Sequence, residues 1–186
     1  MNHPPVVPPH AIRYFNRWEH CIDAQPGDLI LVATDDLFAK IIRFGERLRM
    51  HGDDKVFTRV NHAMIALGDG TGTVVEMIGG GGTVTPLAHY QHLSYAVVNT
   101  TATDAQRSLA VKVARWYTGV DYGFPSVASD ALYLLTGIPL ALTIGQSVVC
   151  SAMATATQRP LGLIPAKADI AVLPSDLAQW YDVRLP

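Results

Sequence analysis

The chain has 186 residues, of which 49% are hydrophobic and only 16% charged, and its formal net charge is −2. That length suits one domain that buries about 70% of its unfolded surface, and the composition excludes a disordered chain or a highly charged coiled coil. The weak negative charge supplies no basic field for a nucleic-acid backbone. The two cysteines, Cys21 and Cys150, exclude a disulfide framework and a cysteine-rich zinc site.

The first ten residues hold Pro4, Pro5, Pro8 and Pro9 and no basic stretch leading into an apolar core. This predicts an extended or poorly ordered arm over 1–20, no secretory signal, and a single domain over 21–186. A cytoplasmic protein, or one released by a non-standard route, is expected. Pro26-Gly27-Asp28 is a turn that delivers the short apolar strand Leu29 to Ala33. Asp35 to Arg49 has the spacing of a helix, capped by Thr34 or Asp35, with Leu37, Phe38, Ile41, Ile42 and Phe44 inward. Arg43, Glu46, Arg47 and Arg49 then fall on its wet side. Strands are predicted over Val60–Leu67, Thr73–Ile78, Thr83–Leu87 and Leu93–Val98, with glycine-rich turns at Gly68-Asp69-Gly70 and Gly79 to Gly82. Thr103 or Asp104 opens a helix to about Tyr117, with Leu109, Val111, Val113 and Trp116 inward.

From Ala131 to Gln158 no residue is charged. Gly137, Pro139, Gly145 and Gln146 interrupt this stretch, so buried helices are expected rather than a membrane span, with contact to an amphiphilic substrate as a further option. Helices are predicted around Ser126–Leu135 and Ser147–Thr157, and a last strand over Ile170–Leu173. Strands followed by helices give an α+β domain.

The chemistry centres on one thiol. A cysteine nucleophile acts as thiolate, so it needs a helix N-terminus or a paired imidazole. Cys150 directly precedes the helix-forming Ser151 to Ala156, whereas Pro26-Gly27 breaks the chain soon after Cys21. His62 lies in an apolar strand, sharing a face with Met64 and Ala66. Glu76 interrupts Val74-Val75-Glu76-Met77-Ile78, where a lone carboxylate is costly unless paired. A turn near Asp69-Gly70 sets Glu76 roughly opposite Ile65 to Asn61, within reach of His62. A carboxylate orienting one ring nitrogen would leave the other for Cys150.

Gly27-Asp28-Leu29-Ile30, Asn61 to Gly68, Glu76, Gly119-Val120-Asp121-Tyr122 and Val149-Cys150-Ser151-Ala152, in this order, resemble the circularly permuted NlpC-type cysteine hydrolases. These are the YaeF/YiiX-like branch of the papain superfamily, related to lecithin:retinol acyltransferases. The likeness runs from about Pro26 to Leu177. It implies a permuted papain-like fold, with an antiparallel, partly barrel-like sheet packed on helices. It implies Cys150 as nucleophile, His62 as base and Glu76 as orienter, with Tyr122, Asn61 and Ser151 as substrate-binding candidates. The acidic residue often found after the family's Cys-Ser pair is Ala152 here. The implied activity is amide hydrolysis of a peptidoglycan-type peptide. A lipid acyl hydrolase or acyltransferase on the same triad is the alternative, and a non-catalytic binding or virion-associated module is the alternative of another class. No cofactor or metal is called for: His89 and His92 have no third ligand at recognisable spacing, and Gly79 to Gly82 lack the residues of a phosphate loop. Trp116 and Trp180 read as core.

Overall fold

The computed structural model describes residues 7, 9–35, 37–121, 150–162 and 172–186, without the side chains of 37, 38, 41 and 42. Strands β1 (His10–Phe15), β2 (Leu29–Val32), β3 (His62–Ala66), β4 (Thr73–Ile78), β5 (Gly81–Pro86) and β6 (Tyr95–Thr100) form one sheet in the order β1-β6-β2-β3-β4-β5. All neighbours are antiparallel. The fold is therefore α+β, as expected, but the sheet is open rather than barrel-like. β1 and β5 end it on opposite sides, and β1 lies within the segment expected to be an arm.

β2 and β3 are buried along their whole length, which fits their near-continuous apolar sequence and a sheet covered on both faces. On one face Leu31, Ile65, Val75 and Val98 pack against helices α2 (Asp104–Trp116), α3 (Cys150–Gln158) and α4 (Pro174–Trp180). The other face, with Ile30, Met64, Val74 and Val97, is covered by Cys21, Ala24, Leu87, Tyr90 and Leu93 from connecting segments. β3 and β4 form the expected hairpin, with Met64 opposite Glu76. The glycine run divides: Gly79-Gly80 is the turn, while Gly81 and Gly82 belong to β5. A Cβ on Gly82 would lie 1.9 Å from the Tyr117 carbonyl oxygen, so only glycine admits the chain that follows α2.

α2 starts as expected, with Thr103 and Gln106 forming a capping box. Val111 packs against the core as expected, but the rest of the inner face differs from the expectation. Arg107, Ala110 and Ala114 are buried, whereas Leu109 is 49% and Trp116 67% exposed. Small side chains let the helix approach closely: an added Cβ at Gly27 would stand 3.0 Å from the Ala110 Cβ. The Arg107 guanidinium meets a buried carboxylate, donating to Asp28 Oδ1 (3.0 Å) and the Pro26 carbonyl (2.9 Å). Trp180, by contrast, does pack against the core.

Helix α1 (Leu37–Arg49) also turns differently about its axis. Phe44 is 62% exposed and Glu46 fully buried, the reverse of the expectation for each. The cause is α4, whose first-turn N–H groups need acceptors. Glu46 Oε1 accepts from Ser175 N (3.1 Å), and Asp176 takes Leu173 N (2.9 Å) and pairs with Arg49. The predicted helix Ser126–Leu135 and the uncharged stretch up to Val149 lie outside the described residues. Of the expected strand Ile170–Leu173, the described Val172 and Leu173 are irregular backbone leading into α4. Among the described residues no helix is long and apolar enough to cross a membrane.

Burial pushes the Glu46 carboxyl from 4.5 up to about 7, against the opposing pull of Ser175, Arg49 and Arg43. The folded state then binds this proton more tightly than the unfolded chain, so stability falls as pH rises between those two values. Glu46→Gln keeps an acceptor for Ser175 and removes the ionisation. Denaturant unfolding should show the variant gaining up to about 3 kcal/mol over wild type at pH 8, with the gap closing by pH 4.

Candidate active site

His62 is the first residue of β3 and pairs with Val32, the last of β2, so it stands at the end of the sheet. Alternation puts its side chain on the face of Met64. Because Met64 is the register partner of Glu76, His62 is the diagonal neighbour of that carboxylate. His62 Nε2 donates to Glu76 Oε2 at 2.8 Å. The same oxygen accepts the Tyr90 hydroxyl, and Thr85 of β5 also stabilises the charged carboxylate.

Cys150 is the first residue of α3, where the positive end of the helix dipole and unpaired backbone N–H groups lie. The helix is buried almost all round, and Met153 and Ala154 join the core layer of Leu31, Ile65 and Val75. This close seat brings the sulfur to the imidazole: His62 is hydrogen-bonded to Cys150 as well as to Glu76. With Nε2 held by the carboxylate, Nδ1 is the nitrogen left for the thiol.

The electrostatics follow the geometry. Burial works to lower the His62 pKa, but the charge of an ionised Cys150 sulfur, the hydrogen bond to it and the Glu76 carboxylate outweigh this and push it up to about 10. Burial works to raise Glu76, yet the His62 hydrogen bond and charge, with Thr85 and Tyr90, hold it below its ordinary 4.5. The Glu76 side chain is 1% exposed and that of His62 11%, so the imidazole is the member of the pair that reaches toward solvent.

Cys21 has a different setting. Burial raises its thiol pKa, the Asp23 carboxylate adds to the rise, and Arg13 opposes it. It donates to Asp23 Oδ1 at 3.4 Å, and its backbone N–H donates to the Tyr95 hydroxyl at 3.0 Å. Both cysteines are free and buried.

The other expected site residues divide. Asn61 is buried, and its amide is engaged with Thr34: Oδ1 accepts from Thr34 N (2.8 Å) and Nδ2 donates to Thr34 O (2.8 Å). It fixes the corner between β2 and α1 beside His62. Ser151 is buried in the first turn of α3, and its carbonyl accepts from Thr155 Oγ1 at 2.7 Å. Tyr122 lies outside the described residues. His89 and His92 are exposed on and just after the 3-10 turn Leu87–Tyr90, and no cluster of three metal-binding side chains occurs among the described residues.

Tyr90 and Thr85 are the site contacts that sequence reasoning misses. Neither sits at a diagnostic spacing, since each reaches Glu76 only through the strand register and the path of the turn. Compared with known proteins, the chain matches no family profile and no curated sequence.

His62 contributes stability that is fully present below pH 6.5 and lost as pH rises through about 10. The Glu76 contribution is present above 4.5 and lost as pH falls below it. Glu76→Gln should cost about 3–5 kcal/mol near pH 6, since it breaks the buried pair between that carboxylate and the His62 imidazolium. It should also lower the NMR titration point of His62 and shallow the alkaline loss of stability in urea melts.

Proposed function

We propose that this chain is a cysteine hydrolase of the circularly permuted NlpC type, cleaving an amide bond in a peptidoglycan-type peptide. The observation that carries it is one contact chain: Cys150 at a helix N-terminus, hydrogen-bonded to His62, whose Nε2 is held by Glu76. The open antiparallel sheet with helices on one face accords with a permuted papain-like core. The substrate class rests on the family resemblance of the five landmarks.

In this mechanism His62 takes the thiol proton, and the Cys150 sulfur attacks the amide carbonyl carbon, forming a C–S bond. The backbone N–H of Cys150, at the helix start, is placed to donate to the developing oxyanion. His62 then gives its proton to the amide nitrogen as the C–N bond breaks, releasing the amine and leaving a thioester. Water, deprotonated by His62, attacks the thioester, and the returning proton restores the thiol as the carboxylate product leaves. Glu76 stays ionised throughout and holds the ring in place.

Two measurements test this. With iodoacetamide at pH 6, peptide mapping should find Cys150 alkylated well ahead of Cys21, and His62→Ala should slow Cys150 about tenfold or more. A γ-glutamyl-diamino acid peptide should be cleaved, with Cys150→Ala losing about 10³-fold or more of the rate and Cys21→Ser keeping it. Turnover of a thioester or phospholipid instead of the peptide would move the assignment to acyl-lipid chemistry. Equal alkylation of both thiols would end the nucleophile assignment.

A further inference from the structure

Glu76 carries more donors than an orienting carboxylate needs. One bond from His62 suffices to align a ring, but here Tyr90 and His62 converge on the same oxygen, Oε2. The phenol is not there by chance of a mobile side chain. Tyr90 is 8% exposed and ends a 3-10 turn fixed on both sides. Leu87 N donates to Gly72 O (2.7 Å), Leu93 N to Tyr90 O (2.9 Å), and Trp18 N to Gln91 O (2.6 Å). Its ring lies 6.0 Å from the His62 ring, against the same sheet face as Met64 and Val74.

We propose that Tyr90 is a positioning residue of this site, holding the Glu76 carboxylate ionised and in place so that the proton shared with His62 stays on Nε2. The physical case rests on what burial does to a carboxylate. At 1% exposure Glu76 has lost its water, and without replacement donors it would draw the Nε2 proton toward itself and become neutral. The Tyr90 hydroxyl on Oε2 makes that oxygen a poorer base toward the Nε2 proton. The imidazole then keeps its Nε2–H, and Nδ1 remains the nitrogen that exchanges a proton with Cys150. Among the described residues, the charged and titratable groups facing the carboxylate are His62 from β3 and Tyr90 from the turn. Thr85 of β5 adds a neutral donor, and Cys150 of α3 acts through His62.

This role rests on the Cys150–His62–Glu76 chain proposed above, but its test does not need a substrate. Tyr90→Phe removes only the hydroxyl. Its iodoacetamide rate at Cys150, at pH 6, should fall about three- to tenfold, and the titration point of His62 followed by ¹⁵N NMR should move down. In a Glu76→Gln background the same change should have no further effect, because Tyr90 acts through that carboxylate. A Tyr90→Phe protein with wild-type alkylation and wild-type His62 resonances overturns the proposal. So does an equal loss in the Glu76→Gln background, which would mark a merely structural role. Should Tyr90→Phe fail to fold, fluorotyrosine at position 90, a stronger donor, decides by the same two readouts, and no change in either overturns the proposal. Peptide turnover is scored separately: if wild type cleaves nothing while the alkylation and NMR effects appear, the hydrolase assignment fails and the positioning role stands.

Discussion

Glu76 lies between Val75 and Met77 in an inner strand, nearly without solvent, and the hydration it has lost must be replaced by protein donors. Each donor comes from a different part of the chain: His62 from β3, Thr85 from β5 and Tyr90 from the turn before β6. The carboxylate therefore constrains the sheet as much as the sheet constrains it. A one-residue slip of β4 would turn Glu76 toward the helices, into the apolar layer of Val75 and Met77, and strand the imidazole without a partner. The register Met64↔Glu76 is held by charge as well as by hydrophobic alternation.

A second buried carboxylate performs the same service away from the thiol. Asp28 takes Arg107 from α2, two contacts of 3.1 Å from Asn99 of β6, and the N–H of Gln25 at 2.9 Å. Gln158, the last residue of α3, donates to the Gly27 carbonyl at 3.0 Å. The helix that begins at Cys150 is thus tethered at its C-terminal end to the turn that carries Asp28, while its N-terminal end meets His62. Apolar packing presses α3 onto the sheet without fixing its position along its own axis, and these polar ties supply what packing lacks.

The parts of this arrangement that were legible in the sequence are those set by short-range rules. Alternation, the Gly68 to Gly70 turn and the isolated polar residues in apolar strands located the β3–β4 hairpin and predicted His62 within reach of Glu76. Thr103 announced the start of α2 through capping chemistry. What stayed hidden depends on partners distant in sequence. Helical periodicity singled out the bulky Leu109 and Trp116 of α2, but the contact surface uses Ala110 and Ala114, because proximity to Gly27 rewards small side chains. Glu46 looked like a solvent-facing charge until α4 presented N–H groups to it. Asn61 is a substrate-binding candidate by resemblance, and the bonds of its amide to Thr34 appear only in the fold. Tyr90 stood between two histidines that drew the eye and reaches Glu76 only through the course of the turn.

The glycine pair that opens β5 has one more consequence. An open sheet leaves its outermost strand with unpaired N–H and C=O groups, a template on which another chain can add. Along that strand Gly82 N donates to the Val120 carbonyl at 2.8 Å, and Gly119 N donates back to Gly82 O at 2.9 Å. The backbone leaving α2 so occupies the stretch of margin that would otherwise recruit a neighbour. A side chain at position 82 would not merely crowd Tyr117. It would lift this cover away and leave the protein with an adhesive border, turning a local steric fault into a tendency to self-associate.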